Sequence, residues 1–217
     1  MSDNNNQARP AGTHIVVLLD RSGSMSSIAT DVIGGFNTFL QDQRSNGSDA
    51  RMSVVLFDSQ DPQETVVWGA PISETLPLTE RTFVPRASTP LLDATGLTIG
   101  RTMVEQQARA ATGLAVEDVI FVTITDGMEN CSREFDLEKV RRLIADRTAE
   151  GWQFVFLSAG LDAYGDAQRF GYEDGAFTGA REKSARQAEL EQRWATFAKE
   201  KYALAKSKAD EALKLAR

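Results

Sequence analysis

Cysteine and histidine are almost missing from this chain, which contains one of each, Cys131 and His14. A single cysteine excludes a disulfide within the chain and fits a reducing compartment. Long apolar runs are missing as well, since the longest, Ile15–Leu19 and Val119–Val122, are far too short to span a bilayer. Residues 1–13 hold no apolar stretch of signal-peptide length. We therefore expect a cytoplasmic protein with no membrane partner.

An excess of positive charge is also absent, because the chain carries a net charge of −7. General nucleic-acid binding usually requires a basic face, so we expect no nucleic-acid partner. The charge is unevenly distributed: residues 181–217 hold 10 Lys/Arg and 6 Asp/Glu, a charge of +4, which leaves −11 on the rest. This asymmetry indicates segments with different roles. We predict a disordered tail over residues 1–13, one domain over 14–179 and a helix over 180–217.

Short β-branched segments alternate with longer helical segments along the predicted domain. The strand candidates are Ile15–Leu19, Met52–Phe57, Thr65–Trp68, Val119–Thr125, Phe154–Leu157 and Ala176–Phe177. The helix candidates are residues 28–43, 91–107, 137–149 and 163–170. Near-continuous apolar strands separated by helices indicate a parallel sheet covered on both faces. We predict a doubly wound α/β fold with a mostly parallel sheet and one antiparallel edge strand, formed after a tight turn at Asp61–Pro62.

The C-terminal segment has a composition of its own. Residues 181–217 are rich in Ala, Glu, Lys, Arg and Gln and contain no Gly or Pro, which predicts one long helix of about 55 Å. Leu190, Trp194 and Phe197 form an apolar stripe on that helix. We expect this stripe to pack against the domain, and the alternative is a surface for another protein.

Acidic and hydroxyl side chains follow two of the predicted strands and open one helix. The first strand ends in Asp20-Arg21-Ser22-Gly23-Ser24, the fourth ends in Thr125-Asp126-Gly127, and Ser88-Thr89-Pro90 precedes a helix. In a doubly wound fold, ligands bind at the carboxyl ends of the strands. Two carboxylates about 6 Å apart repel by roughly 3 kcal/mol at an effective dielectric near 20, and a divalent cation removes that repulsion. Oxygen donors with few carboxylates favour Mg²⁺, with Mn²⁺ or Ca²⁺ as alternatives.

These three motifs resemble the metal-ion-dependent adhesion site of von Willebrand factor A-type domains. The similarity spans about residues 14–179 and includes Asp-x-Ser-x-Ser, Ser-Thr-Pro-Leu-Leu-Asp-Ala and Thr-Asp-Gly in order. Two flanking segments, Ile33-Gly34-Gly35-Phe36-Asn37 and Asp126-Gly127-Met128-Glu129-Asn130, resemble small stand-alone bacterial members. The resemblance implies a metal site made of Asp20, Ser22, Ser24, Thr89 and Asp126. It further implies that Ser22 and Ser24 bind the metal directly, that Thr89 does so in a ligand-ready form, and that a partner's Asp or Glu completes the site.

We therefore expect a protein-binding module that is not an enzyme. A metal-assisted hydrolase is the first alternative, but no His or Lys at a strand end near the proposed metal offers a general base, and nucleotide and esterase motifs are absent. A structural protein that oligomerises through its C-terminal helix is the second.

Other polar residues near these motifs also have expected roles. Asp93 follows Thr89 by one helical turn and is expected to favour the helix dipole, with a role at the site as the alternative. Glu129 and Asn130 are expected in a solvated turn. Arg21 fits a surface ion pair or contact with an acidic partner. His14 is interpreted as structural and Cys131 as unreactive.

Overall fold

Six strands of the described residues form the central sheet, in the order β3-β2-β1-β4-β5-β6. A computed structural model describes residues 12–46, 50–126, 129–158, 169 and 177–179. The strands are β1 Thr13–Asp20, β2 Arg51–Phe57, β3 Glu64–Pro71, β4 Asp118–Thr125, β5 Gln153–Ser158 and β6 Phe177–Gly179. All neighbouring strands are parallel except β2 and β3. The predicted mostly parallel sheet with one antiparallel edge strand is confirmed.

In the described part of the chain, three α-helices cover the two faces of the sheet. They are α1 Ala29–Asn46, α2 Leu91–Ala111 and α3 Leu137–Ala149, and short 3₁₀ helices span Gly23–Ile28 and Ile72–Glu74. The start of α1 agrees with the prediction to one residue, and α2 extends four residues beyond the predicted end. None of the helices within the described part of the chain is long and apolar enough to cross a membrane.

Alternate residues of β1 belong to opposite cores. Val17 and Leu19 lie in the core that includes Phe36 of α1, whereas Val16 and Leu18 lie in the core that includes Leu91 of α2. Because both faces of the strand are buried, an uninterrupted apolar run is the pattern that such a strand requires. The edge strand β3 is only half-buried, which fits its more polar sequence.

The parallel strands bring the candidate site residues to one edge. Asp20 is the last residue of β1, and Asp126 follows the last residue of β4. The residues Leu19 and Ile124 are register partners, so these two strands end side by side. Three predicted segments lie outside the described residues. They are most of the tail, residues 1–11, the helix over 163–170 apart from Arg169, and the C-terminal helix with its apolar stripe.

Candidate functional site

A chain of hydrogen bonds links four of the five predicted ligands at the carboxyl edge of the sheet. The Ser22 N–H donates to Asp20 Oδ1 at 2.7 Å, and the Ser22 and Ser24 hydroxyl oxygens lie 3.0 Å apart. The Ser24 hydroxyl then donates to Asp126 Oδ1 at 2.8 Å. The Thr125 hydroxyl donates to the other Asp20 oxygen at 2.6 Å. Two carboxylates and two hydroxyls from separate loops therefore converge on one place.

The loop before α2, which carries Thr89, contacts the loop after β1. The Gly23 N–H donates to the carbonyl of Ala87 at 3.0 Å, which ties the loop before α2 to the loop after β1. Thr89 itself is buried. Among the contacts of the described residues, no hydrogen bond joins Thr89 to the other four predicted ligands.

The site changes from buried to exposed across its width. Asp20 and Ser22 are buried, Asp126 is half-buried and Ser24 is exposed. A group arriving from outside would therefore meet Ser24 and Asp126 first, with Asp20 beneath them.

Burial sets the electrostatics of the two carboxylates. Desolvation raises the pKa of Asp20 to about 6, although hydrogen bonds from Thr125 and Ser22 partly oppose it. Burial also raises the pKa of Asp126 above its ordinary value. No salt bridge within the described part of the chain reaches either carboxylate. A cation bound here would relieve the cost of holding these charges away from water.

The donor set fits a hard divalent cation. Carboxylate and hydroxyl oxygens suit Mg²⁺, Mn²⁺ or Ca²⁺ better than Zn²⁺, which prefers nitrogen and sulfur ligands. The described residues contain no cluster of three or more His, Cys, Asp or Glu that could hold a metal. The candidate centre therefore depends on hydroxyls in addition to its two carboxylates.

A second buried aspartate, Asp58, lies beside the site. The sequence patterns did not predict it. It directly follows β2, and its Oδ2 accepts hydrogen bonds from Arg21 Nη2 at 2.7 Å and Arg86 Nε at 2.9 Å. The Nη2 atom of Arg21 also donates to Glu64 at 2.6 Å. Arg21 is only 4% exposed, so its expected surface ion pair is instead a buried one.

Asp93 and Glu129 organise the loop after β4. The Asp93 carboxylate accepts the backbone N–H groups of Arg133, Glu134 and Phe135 at 2.8–2.9 Å. Asp93 therefore binds this loop, in addition to the helix-dipole role expected for it. Glu129 accepts the Leu92 N–H near the start of α2 at 2.9 Å, so the expectation of a merely solvated turn is wrong for Glu129.

Asn130 pairs with the backbone of Thr89. Its side-chain Oδ1 accepts the Thr89 N–H at 2.9 Å, and its own N–H donates to the Thr89 carbonyl at 3.2 Å. Asn130 is exposed, as a solvated turn requires, but it also holds a predicted ligand. No local sequence signal indicates this pairing, because the two residues are 41 positions apart.

The surroundings of His14 and Cys131 are consistent with a structural histidine and an unreactive cysteine. His14 is fully buried, and its Nε2 lies 2.8 Å from the hydroxyl oxygen of Ser53. Burial lowers the pKa of His14. Burial together with the nearby charges of Glu129 and Asp93 raises the pKa of the Cys131 thiol, which disfavours the reactive thiolate.

A cavity of about 350 Å³ lies at the opposite edge of the sheet. Its walls include Met103 and Gln106 of α2, Arg147 of α3 and Trp152. None of the five predicted ligands lines it. The candidate site therefore lies outside this cavity.

No family sequence model and no curated protein matches the chain. Solved structures do match. Proximal thread matrix protein 1 of the mussel byssus has a TM-score of 0.57 at 14% identity over 87% of this chain and 47% of its own. The manganese-loaded TRAP protein of Plasmodium vivax has 0.54 at 11% identity over 86% and 74%. The SpRpn10 VWA domain has 0.55 at 9% identity over 83% and 94%.

The match to the SpRpn10 VWA domain extends over most of this chain and nearly all of that domain. The chain spans less than half the length of the mussel protein. At identities this low, the similarity concerns the fold, and the strand order with its single antiparallel edge is consistent with it. The chain therefore has a von Willebrand factor A-like fold.

Proposed function

We propose that this protein is a metal-dependent protein-binding module, in which Asp20, Ser22, Ser24, Thr89 and Asp126 hold one Mg²⁺ ion. The observation that carries the proposal is the hydrogen-bonded chain from Asp20 through Ser22 and Ser24 to Asp126. This chain brings carboxylate and hydroxyl oxygens of two loops close together, which supports a shared cation.

The proposed ligands are of two chemical kinds. Asp20 and Asp126 supply the negative charge, while the hydroxyl oxygens of Ser22 and Ser24 contribute neutral donors. Thr89 adds a third hydroxyl from the loop before α2. The bound ion supplies a Lewis-acidic centre that attracts a carboxylate from outside. Few carboxylates in the set favour Mg²⁺, and Mn²⁺ would occupy the same oxygens.

The partner we propose is a protein that offers an Asp or Glu side chain. Two Asp carboxylates balance the charge of a divalent ion, so a third carboxylate can approach without large repulsion. Ser24 and Asp126 are the accessible members of the site, and they would border the incoming group. The TRAP protein, which has a similar fold, is manganese-loaded in its crystal structure, and this supports divalent-metal binding at the proposed site.

Hydrolysis is less well supported than binding. The chain has a single histidine, His14, which lies at the start of β1, whereas Asp20 lies at its end. His14 is also buried against Ser53. Arg21, next to the site, is held in ion pairs and has no proton to exchange at neutral pH. A general base for attack on a phosphate or ester is therefore not provided by these groups.

A metal-dependent capture experiment tests the proposal. The full-length protein would be immobilised and exposed to native lysate with Mg²⁺ or with EDTA. We expect partners that are retained by wild type with Mg²⁺, lost with EDTA, and lost by Asp20→Ala. Asp146→Ala, which removes an exposed carboxylate of α3, is the matched control and should retain them. Equal retention by Asp20→Ala and wild type would contradict the proposal.

A further inference from the structure

Residues 86–89, which lead into α2, are tied to three separate loops by backbone hydrogen bonds. The Arg86 N–H donates to the Arg21 carbonyl at 2.8 Å, and the Ala87 carbonyl accepts from Gly23 at 3.0 Å. The Ser88 carbonyl accepts from the Ser59 N–H at 2.9 Å. These bonds fix one side of the segment to the loops after β1 and β2.

Ala87 has a backbone conformation that alanine rarely adopts. Its φ is 59°, in the left-handed region that favours glycine. Such a residue persists only where the surroundings hold it in place, and disfavoured backbone geometry clusters at functional sites. Here it lies two residues before Thr89, so the hydrogen bonds of its neighbours maintain the turn that delivers Thr89 to the site.

The other side of the segment is held by one residue, Asn130. Its Oδ1 accepts the Thr89 N–H and its N–H donates to the Thr89 carbonyl, so both backbone polar groups of Thr89 are satisfied by it. Asn130 lies four residues beyond Asp126 in the chain. The pairing therefore links the proposed ligand Thr89 to the segment that carries the proposed ligand Asp126.

We propose that Asn130 is a positioning residue for metal binding. By accepting the Thr89 N–H, its side chain fixes the Thr89 hydroxyl relative to Asp126, although Asn130 does not itself touch the cation. This inference rests on the proposed function and deepens it. Residues that orient metal ligands commonly change metal affinity by 10–100-fold when they are removed.

The test uses the full-length chain and two independent readouts. Affinity for Mn²⁺ alone would be measured by electron paramagnetic resonance of the free ion, and hydrogen exchange of the Thr89 amide by NMR without metal. We expect Asn130→Ala to weaken Mn²⁺ binding about tenfold and to speed Thr89 exchange. Asn130→Asp keeps an acceptor oxygen at the same place, so it should retain slow exchange and at least wild-type affinity.

Gln60→Ala is the matched control, because it removes an exposed carboxamide from the neighbouring loop after β2. It should leave both readouts unchanged. If wild type binds Mn²⁺ and Asn130→Ala binds it equally well, the positioning role is wrong while the metal site stands. An equal loss of affinity in Asn130→Ala and Asn130→Asp would also overturn it, since the acceptor would not be the cause. If wild type binds no Mn²⁺, the proposed function itself fails, and the exchange rate of Thr89 shows separately whether the pairing exists.

Discussion

Asp20 and Asp58 occupy matching places on neighbouring strands, yet their electrostatic surroundings differ. Both are fully buried, one at the end of β1 and the other directly after β2. Asp58 is paired with two arginines, Arg21 and Arg86. Among the described residues, the donors to Asp20 are neutral and include the Ser22 N–H and the Thr125 hydroxyl.

The pKa values move in opposite directions as a result. Burial alone would raise the pKa of Asp58, but hydrogen bonds from Arg86, the Gln60 N–H and Arg21 lower it below its ordinary value. Burial raises the pKa of Asp20 to about 6. Two arginines lower the pKa of Asp58, whereas no salt bridge within the described part of the chain reaches Asp20. Asp58 has its positive charges within the fold, and we infer that Asp20 receives one from solution.

The largest expected effect is a difference in stability between variants of the two aspartates. Asp58→Asn leaves two arginines facing a neutral amide, and breaking a buried ion pair costs about 3–5 kcal/mol. Asp20→Asn removes a desolvated charge and should leave the metal-free protein as stable as wild type or more stable. Urea unfolding in EDTA at pH 7.5 measures both. If Asp20→Asn lost more unfolding free energy than Asp58→Asn, the proposed difference between the two aspartates would be wrong.

Acidity provides the next test. The raised pKa of Asp20 means that the folded state binds a proton more tightly than the unfolded state, whose pKa is 3.8. The free energy of unfolding of the metal-free protein should therefore fall as pH rises from about 4 to about 6. The contribution of Asp20 to this fall should be on the order of 3 kcal/mol. His14, with its lowered pKa, acts in the opposite sense below pH 6.5.

Because His14 opposes Asp20, the informative quantity is the difference between wild type and Asp20→Asn at each pH. This difference should grow in favour of the variant as pH rises through the window from about 4 to about 6. Asp58 contributes oppositely, because its lowered pKa makes stability fall as pH drops below 3.8. A difference that is constant with pH would mean that Asp20 titrates normally in the folded protein.

A smaller effect should distinguish the two arginines beside Asp58. The Arg21 side chain is 5% exposed and that of Arg86 is 40% exposed. Arg86→Ala should cost about 1 kcal/mol, since a partly solvated pair contributes little. Arg21→Ala should cost more, because its loss leaves buried carboxylate charge with one cation fewer. Equal losses in urea unfolding would show that burial does not determine how much each arginine contributes.

The sequence predicts the sheet and the proximity of Asp20 and Asp126 for one physical reason. Strands buried on both faces have continuous apolar runs, and parallel strands end at one edge, so Asp20 and Asp126 were placed together by strand ends alone. Asp58 follows a strand in the same way. It was missed because its partner Arg86 is 28 residues away and nothing local marks the pair.

The loop after β4 shows the same limit. Asp136 caps α3 from the adjacent position in the chain, accepting the Lys139 N–H, which is the local pattern that sequence reading recognises. Glu129 binds the start of α2 from 37 positions away, and Asn130 pairs with Thr89 from 41. Contacts between loops depend on the completed sheet, so composition and spacing cannot indicate them.

The most direct test of whether Asp20 takes its cation from solution is the Mg²⁺ dependence of unfolding at pH 7.5. The full-length wild type, Asp20→Asn and Asp146→Asn would be unfolded in urea across a Mg²⁺ titration. A ligand that binds only the folded state stabilises it by about 2.7 kcal/mol at one hundred times its Kd. Wild type and Asp146→Asn should gain stability to this extent, and Asp20→Asn should gain none. An equal gain in all three proteins would contradict a cation at Asp20.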